Sequence, residues 1–264
     1  MDSNHFNRRS DSFYSVDQND GYGRSDYSAG FDAAVSPLSN TTVETRSRIV
    51  TRVYANLTGA VVAFAAIVAL IFATVGVVEI ATFVQHNVKL VSFGLLALCI
   101  GGPFIGNALL KANPSVTGQY FLLGFYVLMY VALFLPILAF AVLMVGSAQL
   151  IWQATGLTVA LFAALSSAVF MTRKDFSFMR AFLFYAGIAG LIVIVASLIT
   201  GFSLGTWFSV AMIALACGYI LFETSDVMLR THEGEEVLAA VELFASVMML
   251  FFYVLRLIMA FNRE

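Results

Sequence analysis

Ala214–Arg230 reads ALACGYILFETSDVMLR, an apolar run of helix length with two carboxylates, Glu223 and Asp226, near one end. The stretch before them, Phe208 to Phe222, carries no charge. A charge at the centre of a membrane helix costs about 2.5 to 3.5 kcal/mol on insertion scales, so ionisable residues there face protein or water. A spacing of three puts Glu223 and Asp226 on one helix face, about 4.5 Å apart along the axis. Such a face suits a cation or a shared proton. The competing reading is two ordinary helix-end charges in the headgroup zone, a simpler account of Asp226 than of the deeper Glu223.

The rest of the chain agrees that the solvent is a bilayer. Of 264 residues, 60% are hydrophobic and 11% charged, and the mean hydropathy is +0.89. Soluble domains carry about 25% charge. Seven apolar runs follow one another near Arg52–Val78, Val88–Leu110, Gln119–Val145, Leu150–Thr172, Met179–Ile199, Leu204–Leu229 and Val237–Phe261. Each approaches the roughly 20 residues that cross a hydrocarbon core. The fold class expected is an all-α, seven-transmembrane-helix bundle, an integral multi-pass membrane protein whose first partner is the lipid bilayer. Residues 1–45 are a different material, rich in Ser, Asp, Asn and Gly without helical or strand period, and read as a disordered tail. The early arginines are followed by no apolar h-region, so the tail is not read as a signal peptide. The domain limits expected are 1–45 for the tail and 50–261 for the membrane domain.

Basic residues set the orientation. With the N-terminus inside, the inner flanks hold Arg46, Arg48, Arg52, Lys111, Arg173, Lys174, Arg180 and Arg230, against Lys89, Arg256 and Arg263 outside. Trp152 and Trp207 then begin the fourth and sixth spans on the outer side, where an aromatic belt belongs. A re-entrant last run would instead bring the C-terminus inside. The second span contains Gly101-Gly102-Pro103, and the third contains Pro136. Both are candidate kinks or breaks, because Pro removes a helical hydrogen bond. Asp175 or Ser177 is placed to cap the fifth helix.

Between the last two spans the chain reads Arg230-Thr231-His232-Glu233-Gly234-Glu235-Glu236, with Glu242 one turn into the last span. Glu233, Glu235 and Glu236 are accounted for by the positive N-terminal end of the last helix. Glu223 and Glu242 lie at comparable depth on consecutive helices and are candidates to face each other. Glu223, Asp226 and Glu242 are therefore the candidate ion or proton switch. Burial in a medium of low dielectric raises a carboxyl pKa, and no membrane-embedded Lys or Arg lies near Glu223 in sequence. Glu223 is therefore expected to hold a proton part of the time near neutral pH, shared with Asp226 or Glu242.

Several classes are excluded. The net charge of −2 offers no footprint for nucleic acid. His-Glu-x-x-His, Cys-x-x-Cys and P-loop motifs do not occur. The seventh run has no lysine for a retinal Schiff base, and one aspartate in a span is too few for an intramembrane aspartyl protease. Cys99 and Cys217 read as buried small hydrophobes, neither disulfide nor metal ligand. No enzyme and no cofactor is expected, and no metal site is assigned.

Three segments carry a resemblance. Leu165-Ser166-Ser167-Ala168 through Thr172-Arg173-Lys174-Asp175-Phe176-Ser177-Phe178 resembles a small-residue helix closed by T-x-[KR]-D-F-S. Ile220-Leu221-Phe222-Glu223-Thr224-Ser225-Asp226-Val227 is similar to L-Y-D-T-x-x-I, and Leu243 to Arg256 to L-Y-x-D-x-x-N-L-F-x-x-L-L. In all three the chain resembles the Bax inhibitor-1 (transmembrane Bax inhibitor motif) family, and Phe222-Glu223-Thr224-Ser225 resembles its bacterial YccA-like branch. The resemblance implies six helices around a central seventh, in the bacterial inner membrane with a cytoplasmic N-terminus. It also implies a pH-sensitive calcium leak, with a carboxylate of the sixth span paired to one in the last. The first carboxylate falls on Glu223. The second falls on Ser246, which does not titrate in this range, and Met249 stands where the family has Asn. Two functions follow as expectations: a proton-sensitive cation (calcium) pathway switched at Glu223, or a non-transporting regulator of membrane protein quality control or stress survival. The regulator would bind a membrane protease of the FtsH type or other membrane proteins.

Overall fold

Apolar runs this long leave their backbone no water to bond to, so each closes its hydrogen bonds internally as a helix. The computed structural model describes residues 43–112 and 115–262. The expected N-terminal tail lies, up to residue 42, outside the described residues. The helices are α1 (Val43–Thr74), α2 (Val77–His86), α3 (Val88–Ala112), α4 (Val116–Val145), α5 (Gln149–Thr172), α6 (Met179–Thr200), α7 (Thr206–Leu229) and α8 (Glu236–Phe261). All but α2 are long and apolar enough to cross a membrane, seven in total among the described residues. The last run is thus a full helix of 26 residues.

The short α2 was not foreseen. It fills the connection after the first span, starts behind Gly76 at φ 91° and packs on α4. Val77-Val78-Glu79-Ile80-Ala81 continues the apolar run of α1 in sequence, which is why hydropathy alone extended the first span to Val78. Neither proline interrupts its helix: α3 runs through Gly101-Gly102-Pro103 and α4 through Pro136. Ser115 caps α4, its Oγ accepting the Gly118 N–H at 3.3 Å. The chain leaves α5 through Arg173 in the left-handed region (φ 49°), the sole non-glycine there among the described residues. Cys99 is exposed on α3 and Cys217 half-buried, so the expected burial of both is corrected. In a membrane protein an outward cysteine contacts lipid, and composition does not distinguish that from a core position.

The last helix is the axis of the bundle. α8 packs chiefly on α7, α1, α5 and α4, and it carries the largest buried share of any span. The second and fifth spans stand farther out, α3 principally against α4 and α6 against α7. Phe134 of α4 joins the layers: its ring meets Phe64 edge-on at 5.5 Å, stacks on Phe251 at 5.5 Å and meets Phe252 edge-on at 5.6 Å. On the periphery, the Tyr219 hydroxyl donates to the Leu183 carbonyl at 2.8 Å. Gly187 makes that approach possible, since a Cβ there would stand 2.6 Å from the same hydroxyl oxygen. Trp152 and Trp207 are both exposed, as belt residues should be.

Candidate functional site

The sequence periodicity places Glu223 on α7, but its environment is made by α8. Ser246 Oγ donates to Glu223 Oε1 at 2.7 Å, joining the axial helix to its most intimate neighbour. Glu223 Oε2 is sealed from solvent and meets no hydrogen-bond donor. No Lys, Arg or His forms an ion pair with Glu223 among the described residues. Tyr130 of α4 and Tyr219, one turn back on α7, lie within its electrostatic reach, as do Asp226 and Glu242. A carboxyl so placed has one satisfied oxygen and one unsatisfied one, which is tolerable for a neutral acid and costly for an anion.

The other two candidates are arranged differently. Asp226 turns toward Arg230, with Oδ1 3.4 Å from Nη1, and its side chain is 35% exposed. Glu242 is exposed and lies within electrostatic reach of Asp226, Arg180 and Glu235. The three carboxylates thus differ: Glu242 is exposed, Asp226 is ion-paired, and Glu223 has one oxygen sealed from solvent. Ser246, at the second-carboxylate position, makes the direct contact with Glu223.

Sequence reading missed how the α5–α6 connection is held. Ser225, 2% exposed, donates its hydroxyl to the Lys174 carbonyl at 3.2 Å and accepts the Phe176 N–H at 3.1 Å. Arg230 Nη2 reaches Asp175 Oδ2 at 2.9 Å. The segments around Asp175 and Glu223 are therefore one structure in space, with Ser225 and Arg230 from one gripping Lys174, Asp175 and Phe176 from the other. The signal was present in the two polar clusters, but nothing local says that they meet. Asp175 does not cap α6 as expected. Its Oδ1 instead accepts the Ser177 N–H at 2.8 Å, and α6 begins without a side-chain cap.

The Ser177 N–H, the Ser177 hydroxyl and the Arg230 guanidinium hold the Asp175 carboxyl below the usual carboxylate range. A carboxylate with a depressed pKa in the folded state contributes stability above its unfolded pKa and loses it as pH falls through the folded value. Asp175→Asn is therefore expected to melt slightly earlier than wild type at neutral pH. The gap in Tm should close on acidification through the carboxylate range. A constant gap would mean that the side chain acts through shape and not charge.

At the same end of the bundle, Arg52 meets Glu236 at 3.3 Å, and Glu236 Oε2 accepts the Gly234 N–H at 2.9 Å. Gln119 Nε2 donates to the Gly234 carbonyl at 2.7 Å. These contacts pin the α7–α8 connection over the N-terminal ends of α1 and α4. No cluster of three or more His, Cys, Asp or Glu suited to a metal ion occurs among the described residues.

Residues 46–263 match the family profile described as Inhibitor of apoptosis-promoting Bax1 (Bax1-I). An uncharacterized membrane protein of Vibrio cholerae is 36% identical over 133 residues, 49% of this chain and 58% of that protein. Protein lifeguard 4 of Mus musculus is 29% identical over 120 residues, 44% of this chain and 49% of that protein. The chain spans about half the length of these curated relatives.

Proposed function

The chain belongs to the Bax inhibitor family described by the Bax1-I profile, and on that premise we propose that it passes cations, calcium among them, under the control of Glu223. The observation that carries this reading is the Glu223–Ser246 contact on the axial helix, with the second carboxyl oxygen unpartnered. Protonated, Glu223 is compatible with the closed α7–α8 contact. Ionised, it leaves a charged acceptor buried without a donor, which costs more than the about 1 to 3 kcal/mol of a neutral one. Water entering beside α8 relieves that cost and opens a path past Asp226 and Glu242, whose charges favour cations. The excess of Lys and Arg at the N-terminal end of α1 supports a cytoplasmic position for that end, and the resemblance to the YccA-like branch supports a bacterial inner membrane.

A second reading draws on Ser246. With one carboxylate of the pair replaced by a hydroxyl, the chain would serve as a non-transporting regulator in quality control or stress survival, bound to a membrane protease of the FtsH type. One experiment separates the two. Liposomes holding only the purified full-length chain are loaded with a calcium dye, and influx is followed across pH. The pathway reading expects influx that grows as pH rises. Absence of influx at every pH removes it and leaves the regulator.

A further inference from the structure

Two cavities along α1 adjoin, with Asn56 and Tyr120 lining both. The larger, about 880 Å³, is an apolar groove walled by α1 (Asn56, Gly59, Ala63, Ile67) and by Leu109 of α3, with its floor on α4. The smaller, about 560 Å³, is the more polar of the two and includes Arg48, Arg52, Glu233 and Glu236. They share Asn56 and Tyr120, whose hydroxyl donates to Asn56 Oδ1 at 3.4 Å. An amphiphile fits this shape: a tail in the groove, polar linkages at Asn56 and Tyr120, and a head beyond them.

The dimensions select a lipid. From Asn56 to Ile67 the groove follows eleven helical steps, about 16 Å, close to half of a hydrocarbon core of about 30 Å. That is the depth of one leaflet. Gly59 and Gly124 both line the groove, and a Cβ at either would meet nothing within 4 Å, so the space beside them is open. Phe121 and Leu128 on its rim are exposed, so it opens sideways to the bilayer.

The charges select the head. Arg48 and Arg52 each touch one carboxylate, Glu44 at 3.4 Å and Glu236 at 3.3 Å, longer than the 2.7 to 2.9 Å of a tight charged pair. Each guanidinium has five N–H donors, so most remain for a phosphate. Glu236 is engaged on both oxygens, by Arg52 and by the Gly234 N–H. Glu233 is exposed on the connection and faces the same pocket. A pocket with cations on one wall and a carboxylate on the other complements a zwitterion better than an anion. We propose that this groove binds a phospholipid with a primary-ammonium head, phosphatidylethanolamine, its phosphate on Arg48 and Arg52, its ammonium on Glu233 and one acyl chain between α1 and α4.

The test is native mass spectrometry of the full chain, stripped of lipid and offered phosphatidylethanolamine, phosphatidylcholine and phosphatidylglycerol in equal amounts. One phosphatidylethanolamine should be retained in preference to the others. Phosphatidylcholine cannot donate hydrogen bonds from its quaternary ammonium, and phosphatidylglycerol has no cation for Glu233. Glu233→Gln, on an exposed connection, should leave folding intact and reduce the preference over phosphatidylcholine about tenfold, the scale of one charge-assisted hydrogen bond. Gly124→Leu should fill the groove and lower retention of all three lipids. Equal retention of the three by wild type overturns the proposal, as does preference for phosphatidylglycerol. So does a preference that Glu233→Gln leaves unchanged.

Discussion

Glu223→Gln is expected to fold as wild type does and to carry cation flux that no longer changes with pH. Gln has nearly the volume of Glu, and its carbonyl oxygen still accepts from Ser246, which stands 2.7 Å from Oε1 in the wild type. What it cannot do is ionise. If opening is driven by a buried carboxylate without a donor, the variant lacks the driving force at every pH and stays in the closed state. A cost above about 1.4 kcal/mol shifts an equilibrium by at least about tenfold, so wild type and variant should part clearly at alkaline pH and converge at acid pH. The neighbouring titratable groups provide the control. Asp226 has Arg230 at 3.4 Å and Glu242 is exposed, so neither removal should abolish the response as Glu223→Gln does. A pH profile of flux unchanged in Glu223→Gln would assign the switch elsewhere.

Phe134→Ala should be the most destabilising single substitution among those considered. The ring is 2% exposed and touches aromatic side chains of α1 and α8 as well as Tyr130 of its own helix. Deleting it leaves a cavity at the junction of three helices. Large-to-small changes of buried Phe typically cost about 3 to 5 kcal/mol, the spread reflecting how far the site collapses. Thermal unfolding in detergent reads the loss. Phe121→Ala is the comparison, since that ring is 68% exposed toward lipid and should cost far less. Equal melting of the two variants would mean that helix association does not depend on this aromatic layer. The expectation is specific to packing: lipid tails are as apolar as the core, so buried shape and not hydrophobicity holds membrane helices together.

Much of the architecture was legible because hydropathy is a local property. Runs such as Val237–Phe261 announce a spanning helix without knowledge of any neighbour. The miss at α2 has the same origin. Val77-Val78 prolongs the apolar run of α1, and only the turn at Gly76, φ 91°, ends the helix. The candidate site was legible in part. Glu223 drew attention as a charge deep in an uncharged run, and Ser246 through its position in a resembling motif. The grip of Ser225 and Arg230 on the α5–α6 connection was not legible, because its members lie about fifty residues apart and each has an adequate local explanation.

By itself the sequence determined that this is a membrane protein, that seven runs form helices long and apolar enough to cross, and that a carboxylate, Glu223, follows an uncharged run of helix. Those properties depend on composition within a window of about 20 residues. Tertiary structure alone decided that Ser246 serves one oxygen of Glu223 and leaves the other without a donor, that Asp226 is turned to Arg230, and that α1 and α4 part to leave a groove. In a bilayer the rotation and tilt of each helix are set by packing against its neighbours. An apolar helix with residues of similar hydropathy all round carries little record of which side looks inward. The partner of a buried polar group is therefore chosen only when the helices meet.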